Sequence, residues 1–157
     1  MSAGYRIERL AGHDRSQFTS GSQALDRYFR DTVTQDARRR IAYCFVAIDP
    51  DGDIAGFYTL SATSILLDKL PPERARRLPR YPLVPAILLG RLAVAQAHQG
   101  RRLGGALVAD ALIRASSGDI AGHLMVVEAK DETAARFYEH LEFARLADDR
   151  TRLIRAL

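Results

Sequence analysis

The stretch RLAVAQAHQGRRLGGALVADAL, residues 91–112, changes its periodicity in the middle. Leu92, Ala93 and Val94 close the apolar run PAILLGRLAVA, which reads as a long buried strand. From Leu103 the apolar residues recur at helical spacing, with Leu103, Leu107, Ala111 and Ala115 in one row and Val108 and Leu112 beside it. Between strand and helix lie Gly100, Arg101, Arg102, Gly104 and Gly105. Glycines let a backbone approach a ligand closely, a helix N-terminus presents unbonded N–H groups, and arginines add charge-assisted bonds, so the junction is composed like an anion site. A P-loop needs Lys and then Ser or Thr after its last glycine, whereas Gly105 is followed by Ala106 and Leu107. The dinucleotide fingerprint needs glycine spacings of two and three, and here they are four and one. What remains is a loop facing a diphosphate, or glycines that serve only tight strand-to-helix packing.

Working outward, residues 20–40 carry Leu25, Tyr28, Phe29 and Val33 at helical spacing, with Ser20 or Ser22 as candidate caps. IAYCFVAID reads as a strand, DPDGD (49–53) as a hairpin turn and IAGFYTLSATSI as the paired strand. The segment 68–85 is basic and rich in proline and reads as a short helix with loops or as an insertion. HLMVVEA (123–129) predicts a further buried strand, DETAARFYEHL (131–141) a helix and TRLIRAL a last short strand. The mixed order predicts an α/β (α+β) fold whose central sheet has antiparallel and parallel parts, flanked by helices on both faces.

A chain of 157 residues fits one domain, 1–157, with a core large enough to need no staples. The longest apolar runs fall well short of the roughly 18 residues of a membrane span, so no membrane is expected. The start MSAGYRIERL has no apolar signal core, and the single Cys44 has no intramolecular disulfide partner and sits in an apolar run, which predicts a core residue and a cytoplasmic protein. The formal net charge is +4, and all but Lys69 and Lys130 of the 23 basic residues are arginine. Arginine is the fork for phosphate and carboxylate, so a polyanionic partner is plausible. Outside the loop it clusters at Arg38, Arg39 and Arg40 and at Arg74, Arg76, Arg77 and Arg80, where a solvated helix face is the plainer alternative.

The stretch 91–112 resembles the acetyl-CoA-binding motif of the GNAT N-acetyltransferases, a Q-x-x-G-x-G/A loop. Gln99, Gly100, Leu103, Gly104 and Ala106 fit it, while Arg102 stands where the first motif glycine usually sits. FTSGSQALDRYF, AGFYTLSATSI, LPRYPLVPAILLGRLAV and EAKDETAARFYEHLEF extend the resemblance, in order, to the GNAT toxins of bacterial type II toxin–antitoxin systems. The resemblance implies the GNAT fold with a mostly antiparallel sheet, acetylation of the α-amino group of aminoacyl-tRNA, arrest of translation, neutralisation by a ribbon-helix-helix antitoxin, and a homodimer. It also implies acetyl-CoA as co-substrate, held by Leu92, Ala93, Val94, Gln99, Gly100, Arg101, Arg102, Leu103, Gly104, Gly105 and Ala106, with Asp131 expected as a helix cap first and a cofactor contact second.

Acetyl transfer from a thioester to an amine needs a held cofactor, a neutral amine, a stabilised oxyanion and a proton for the departing thiolate. The strand Leu92–Val94 resembles the family's splayed strand, whose backbone pairs with pantetheine and whose N–H near Val94 serves the oxyanion; a fully paired core strand explains the same side chains. Tyr138 matches the family's tyrosine beside the sulfur, and a phenol near pKa 10 donates to a forming thiolate. Phe137 is then expected to face the core. No side chain stands out as a general base, which suits an α-amino group with a pKa of about 7.7 to 8.0; Glu128, His98 and His140 are candidates, more often caps or surface residues. No residues have metal-ligand spacing, so no metal is expected. A charged-tRNA acceptor needs basic surface, for which Arg38, Arg39, Arg40, Arg74, Arg76, Arg77, Arg80 and Arg91 are the candidates. The competing expectations are a GNAT enzyme for a small amine or a protein or peptide amine, and a non-catalytic CoA-binding regulator.

Overall fold

The computed structural model describes residues 4–157. Seven strands, β1 (Arg6–Arg9), β2 (Tyr43–Ile48), β3 (Ile54–Leu66), β4 (Leu83–Val94), β5 (Leu124–Glu128), β6 (Ala144–Arg145) and β7 (Arg152–Ala156), follow the order β1, β2, β3, β4, β5, β7, β6. β4 and β5 are parallel, while β1 with β2, β2 with β3, β5 with β7 and β6 with β7 are antiparallel. The helices are α1 (Gln23–Arg27), α2 (Val33–Arg38), α3 (Pro72–Ala75), α4 (Leu103–Ser117) and α5 (Glu132–His140). The parallel pair needs a long crossover, and the segment carrying α4 supplies it. The mostly antiparallel mixed sheet agrees with the expected fold class.

Two compact units divide the chain, and β3, β4 and α4 each run through a boundary. The first comprises the residues up to Ser61 with Gly90–Ala111. Its core gathers Phe18, Phe29, Val33, Cys44, Val46, Ile48 and Phe57, with the Phe29 and Phe57 rings stacked at 4.2 Å. Cys44 is buried as expected, and burial pushes its thiol up to about 12. The turn 49–53 closes as predicted: Asp49 accepts the amides of Asp51 and Asp53 at 2.9 Å each. Ser22 caps α1, accepting the Leu25 amide, while Ser20 instead donates to the buried Asp26 carboxylate at 2.7 Å. The helix expected over 20–40 is interrupted between α1 and α2 by a π-helical turn, Tyr28–Thr32. β1 is an element that the pattern did not announce, because RIER offers one aliphatic residue and no alternation.

The second unit comprises Ala62–Leu89 and Leu112–Leu157. Ile65, Leu70, Val84, Ala86, Leu124, Val126, Leu146 and Ile154 form a core cluster. The proline-bearing segment is a 3-10 turn (Leu67–Lys69) followed by α3, with Pro72 at the position where a missing N–H costs nothing. Lys69 pairs with Asp148 at 2.9 Å. β4 is less buried than an apolar run suggests: Val84, Ala86, Leu89 and Ala93 are buried, whereas Gly90 and Arg91 are exposed. The expected all-buried strand is corrected to one with a partly open face.

Candidate active site

The loop is built on β4. Ala95 donates its amide to Ala55 O and Gln96 to Thr19 O, each at 2.8 Å, and a 3-10 turn (Gln96–His98) follows. His98 is gripped at both nitrogens, by Tyr5 Oη at Nδ1 (2.6 Å) and by Asp49 Oδ2 at Nε2 (3.2 Å). Burial alone raises the Asp49 carboxyl, but the Asp53 and Asp51 amides and His98 hold it below the usual range. Asp49 offers an acceptor to one ring nitrogen and Tyr5 a hydroxyl to the other. Both ring nitrogens of His98, one of the candidate bases, are thus engaged within the protein. Gln99 donates its side-chain amide to Ser20 O at 2.8 Å and to Val94 O at 3.1 Å, and so spans the loop back to the strand it leaves.

Gly100 has φ +79° and Arg102 has φ +62°. The departure at Arg102 therefore falls where the backbone is left-handed, a conformation that glycine adopts freely and arginine does not. The first helical bond runs from the Ala106 amide to Arg102 O at 3.3 Å, so the amides of Leu103, Gly104 and Gly105 have no acceptor within the helix. Arg101 and Arg102 are exposed and, among the described residues, neither pairs with a carboxylate. Unbonded amides at the start of a long helix beside two free guanidinium groups make a donor set that fits a diphosphate.

On the strand itself Ala93 is buried, and Leu92 and Val94 are half-buried. Gly56 makes the close approach possible here: a Cβ on it would lie 3.0 Å from both Ala93 O and Leu107 Cδ1. The ladder of β4 with β5 ends at Leu89↔Val127. Two residues on, the Arg91 amide donates to the side-chain oxygen of Thr59 at 3.0 Å.

Tyr138 belongs to the second unit, on α5. Asp131 caps that helix with extended backbone, accepting the Ala134 amide at 2.8 Å, so its expected capping role is met. Arg145 forks onto Glu132 Oε1 and Oε2 at 2.7 and 3.0 Å and reaches Glu139 at 3.0 Å, which fastens α5 to β6. Tyr138 is buried and its ring meets Phe143 edge-on at 5.5 Å. Burial pushes the phenol up to about 12, so it keeps its proton at any physiological pH. Phe137 is half-buried, more open than Tyr138, contrary to the expectation that it faces the core. Glu128 and His140 are exposed.

Of the basic residues, Arg38, Arg39 and Arg40 end α2 exposed, with Arg40 donating to Tyr43 Oη. Arg76, Arg77 and Arg80 are exposed in the second unit and Arg74 is half-buried. Arg91 lies exposed with its guanidinium 3.7 Å from the Tyr28 ring centre. Among the described residues none of these arginines forms an ion pair with a carboxylate. The clamp on His98 and the stack on Arg91 escaped the sequence, because their partners lie far away along the chain.

Residues 40–145 match the acetyltransferase (GNAT) domain model. The chain is 36% identical over 132 residues to the tRNA-acetylating toxin of Mycobacterium tuberculosis (strain ATCC 25618 / H37Rv), covering 83% of this chain and 78% of that one. It is similar to AtaT complexed with acetyl-methionyl-tRNAfMet, with a TM-score of 0.88 at 27% identity over 97% of this chain and 94% of that one. A tyrosine-to-phenylalanine variant of AtaT, bound to the C-terminus of the antitoxin AtaR and acetyl-CoA, superposes with a TM-score of 0.79 at 25% identity over 98% and 93%. With a glycine and arginine loop opening a long helix and a domain model covering most of the sequence, the chain belongs to the GNAT family of acetyltransferases.

Proposed function

We propose that this chain is an acetyl-CoA-dependent N-acetyltransferase toxin that acetylates the α-amino group of aminoacyl-tRNA, blocks translation and is neutralised by a cognate antitoxin. The observation that carries it is the likeness, over 97% of the chain, to AtaT solved with acetyl-methionyl-tRNAfMet. Exposed Arg38, Arg39, Arg76, Arg77, Arg80 and Arg91, with no carboxylate partner among the described residues, are its second support, since such forks suit the phosphates of a tRNA. The same reading makes residues 1–157 one working domain in the cytoplasm, paired as a homodimer, with an antitoxin of the ribbon-helix-helix type.

Acetyl-CoA, when bound, supplies the acetyl group as a thioester. The amides of Leu103, Gly104 and Gly105 and the side chains of Arg101 and Arg102 hold its diphosphate, Ala106 closes the first helical turn behind them, and Gly100 opens the space. Gln99 is a positioning residue, because its side-chain nitrogen is already spent on Ser20 O and Val94 O. The backbone of Leu92, Ala93 and Val94 takes the pantetheine arm, and the Val94 amide donates to the carbonyl oxygen as charge grows on it. Tyr138 donates its proton to the leaving sulfur; its raised pKa keeps that proton available. Asp131 acts first as a cap. No strong base is required, because an α-amino group loses its proton near neutrality.

The test is to incubate the chain with labelled acetyl-CoA and total charged tRNA, with uncharged tRNA and Tyr138→Phe as controls, and to count label in the RNA. Label that needs the aminoacyl group and falls with the substitution supports the reading. Binding of acetyl-CoA without label in RNA overturns it in favour of a small-amine or peptide acceptor.

A further inference from the structure

An exposed arginine next to the reacting strand must be held in place if it is to meet a tRNA phosphate. We propose that Tyr28, oriented by Asp36, is a positioning residue that holds the Arg91 guanidinium ready for a phosphate in the single-stranded 3′ end of the acceptor tRNA, and this proposal rests on the tRNA reading above.

Arg91 immediately precedes Leu92–Val94, so whatever it binds lies beside the strand assigned to the thioester. Its backbone is fixed twice. The Arg91 amide donates to Thr59 Oγ1 at 3.0 Å, and Gly90 leaves only enough room for that hydroxyl, since a Cβ there would lie 3.0 Å from the same oxygen. The side chain is fixed by stacking, with its guanidinium carbon 3.7 Å from the centre of the Tyr28 ring. The ring is buried and its hydroxyl donates to Asp36 Oδ2 at 2.8 Å. Burial, and then the Asp36 bond, raise the phenol well above its ordinary pKa, so it remains the donor.

That bond depends on the π turn. Eight residues of regular α-helix place two side chains about 80° apart, too far round for Tyr28 to meet Asp36. The turn Tyr28–Thr32, closed by the Val33 amide on Tyr28 O, absorbs about one residue and returns the two to nearly one face. The freed Phe29 carbonyl is met by Arg15 Nη1 at 2.7 Å. A π turn is rare and is often retained at functional sites, and this one serves to aim Tyr28. Stacking occupies one face of the guanidinium and leaves its N–H edges in water, with no carboxylate on them among the described residues. Edge donors in a fixed plane suit the paired oxygens of a phosphodiester.

The test is steady-state acetylation of charged tRNA, with KM for tRNA measured across a range of salt in the wild-type chain, Tyr28→Leu, Tyr28→Phe, Arg91→Lys and Arg91→Ala. Tyr28→Leu is expected to raise KM roughly three- to fivefold, the size of a lost cation–π contact. Its kcat stays close to wild type and its salt dependence is unchanged, because the charge remains. Tyr28→Phe, which keeps the ring, recovers most of the loss. Arg91→Lys raises KM at unchanged salt dependence, whereas Arg91→Ala also lowers the log–log salt slope by about one. Affinity for acetyl-CoA reports folding of the Tyr28 variants. A folded Tyr28→Leu with wild-type KM, or Arg91→Ala with an undiminished slope, refutes the proposal. Should Tyr28→Leu not fold, Arg91→Lys decides, since that side chain is exposed: a wild-type KM refutes, a raised one supports. A wild-type chain that labels no charged tRNA sinks the parent reading instead, and the two failures are told apart by that control.

Discussion

Replacing Arg102 by glycine separates what the backbone of the loop wants from what its side chain does. Arg102 sits at φ +62° with its side chain in water. A non-glycine residue in the left-handed region costs about 1–2 kcal/mol, and glycine removes that cost while adding about 0.5–1 kcal/mol of unfolded-chain entropy. The net expectation for Arg102→Gly is a stabilisation of about 0.5–1 kcal/mol relative to Arg102→Ala, which keeps the strain and loses the same side chain. For a chain of this length that is a rise in Tm of about 1–4 °C between the two variants. The chain has no tryptophan, so far-UV circular dichroism is the probe. Both variants are expected to lose affinity for acetyl-CoA about equally, because both lack the guanidinium. An Arg102→Gly protein that melts at or below Arg102→Ala refutes the strain argument. Unchanged affinity in both would show that Arg102 contributes no side-chain bond to the diphosphate.

Tyr138→Phe is expected to lower kcat by roughly a hundredfold or more with little change in KM for acetyl-CoA. Because the folded phenol titrates near 12, the wild-type rate should show no basic limb from this group below about pH 10; a limb near pH 9 that vanishes in the variant contradicts the raised pKa. Gly56→Ala forces a methyl to within 3.0 Å of Ala93 O and Leu107 Cδ1 and should destabilise by about 1–3 kcal/mol in a denaturant titration; a neutral result would mean that β3 and α4 have slack the packing does not show. Cys44, buried with its thiol pushed up to about 12, should resist alkylation at pH 8 until denaturant is added. Rapid modification of the native chain would place it at the surface.

Much of the fold is legible in the chain because its elements are locally determined. The α4 row Leu103, Leu107 and Ala111 is buried, and the Asp49 turn closes on its own amides. β1 and β6 are not legible, since Arg6–Arg9 becomes a strand by pairing with β2 and Ala144–Arg145 by pairing with β7. The π turn is hidden for a different reason: Leu25, Phe29 and Val33 keep their spacing through it, and one extra residue leaves no trace in hydrophobic pattern. Within the candidate site, the loop glycines and Asp131 announce themselves by type. The Tyr5, His98 and Asp49 network does not, because Tyr5 and His98 are 93 residues apart and each residue alone looks ordinary.

The ion pair between Lys69 and Asp148 also bears on what an acetyltransferase does to itself. The chain carries two lysines against its many arginines. The bond to Asp148 raises the Lys69 pKa and so lowers the share of that amine free to meet an acyl donor. Guanidinium groups, charged at every pH a cell reaches, are no acceptors either. A surface that draws in polyanions through arginine therefore offers few competing amines, and Lys130, with no carboxylate partner among the described residues, is the more open of the two lysines to stray acyl transfer. Mass spectrometry of the enzyme after turnover would read that residue as an internal counter of misdirected chemistry.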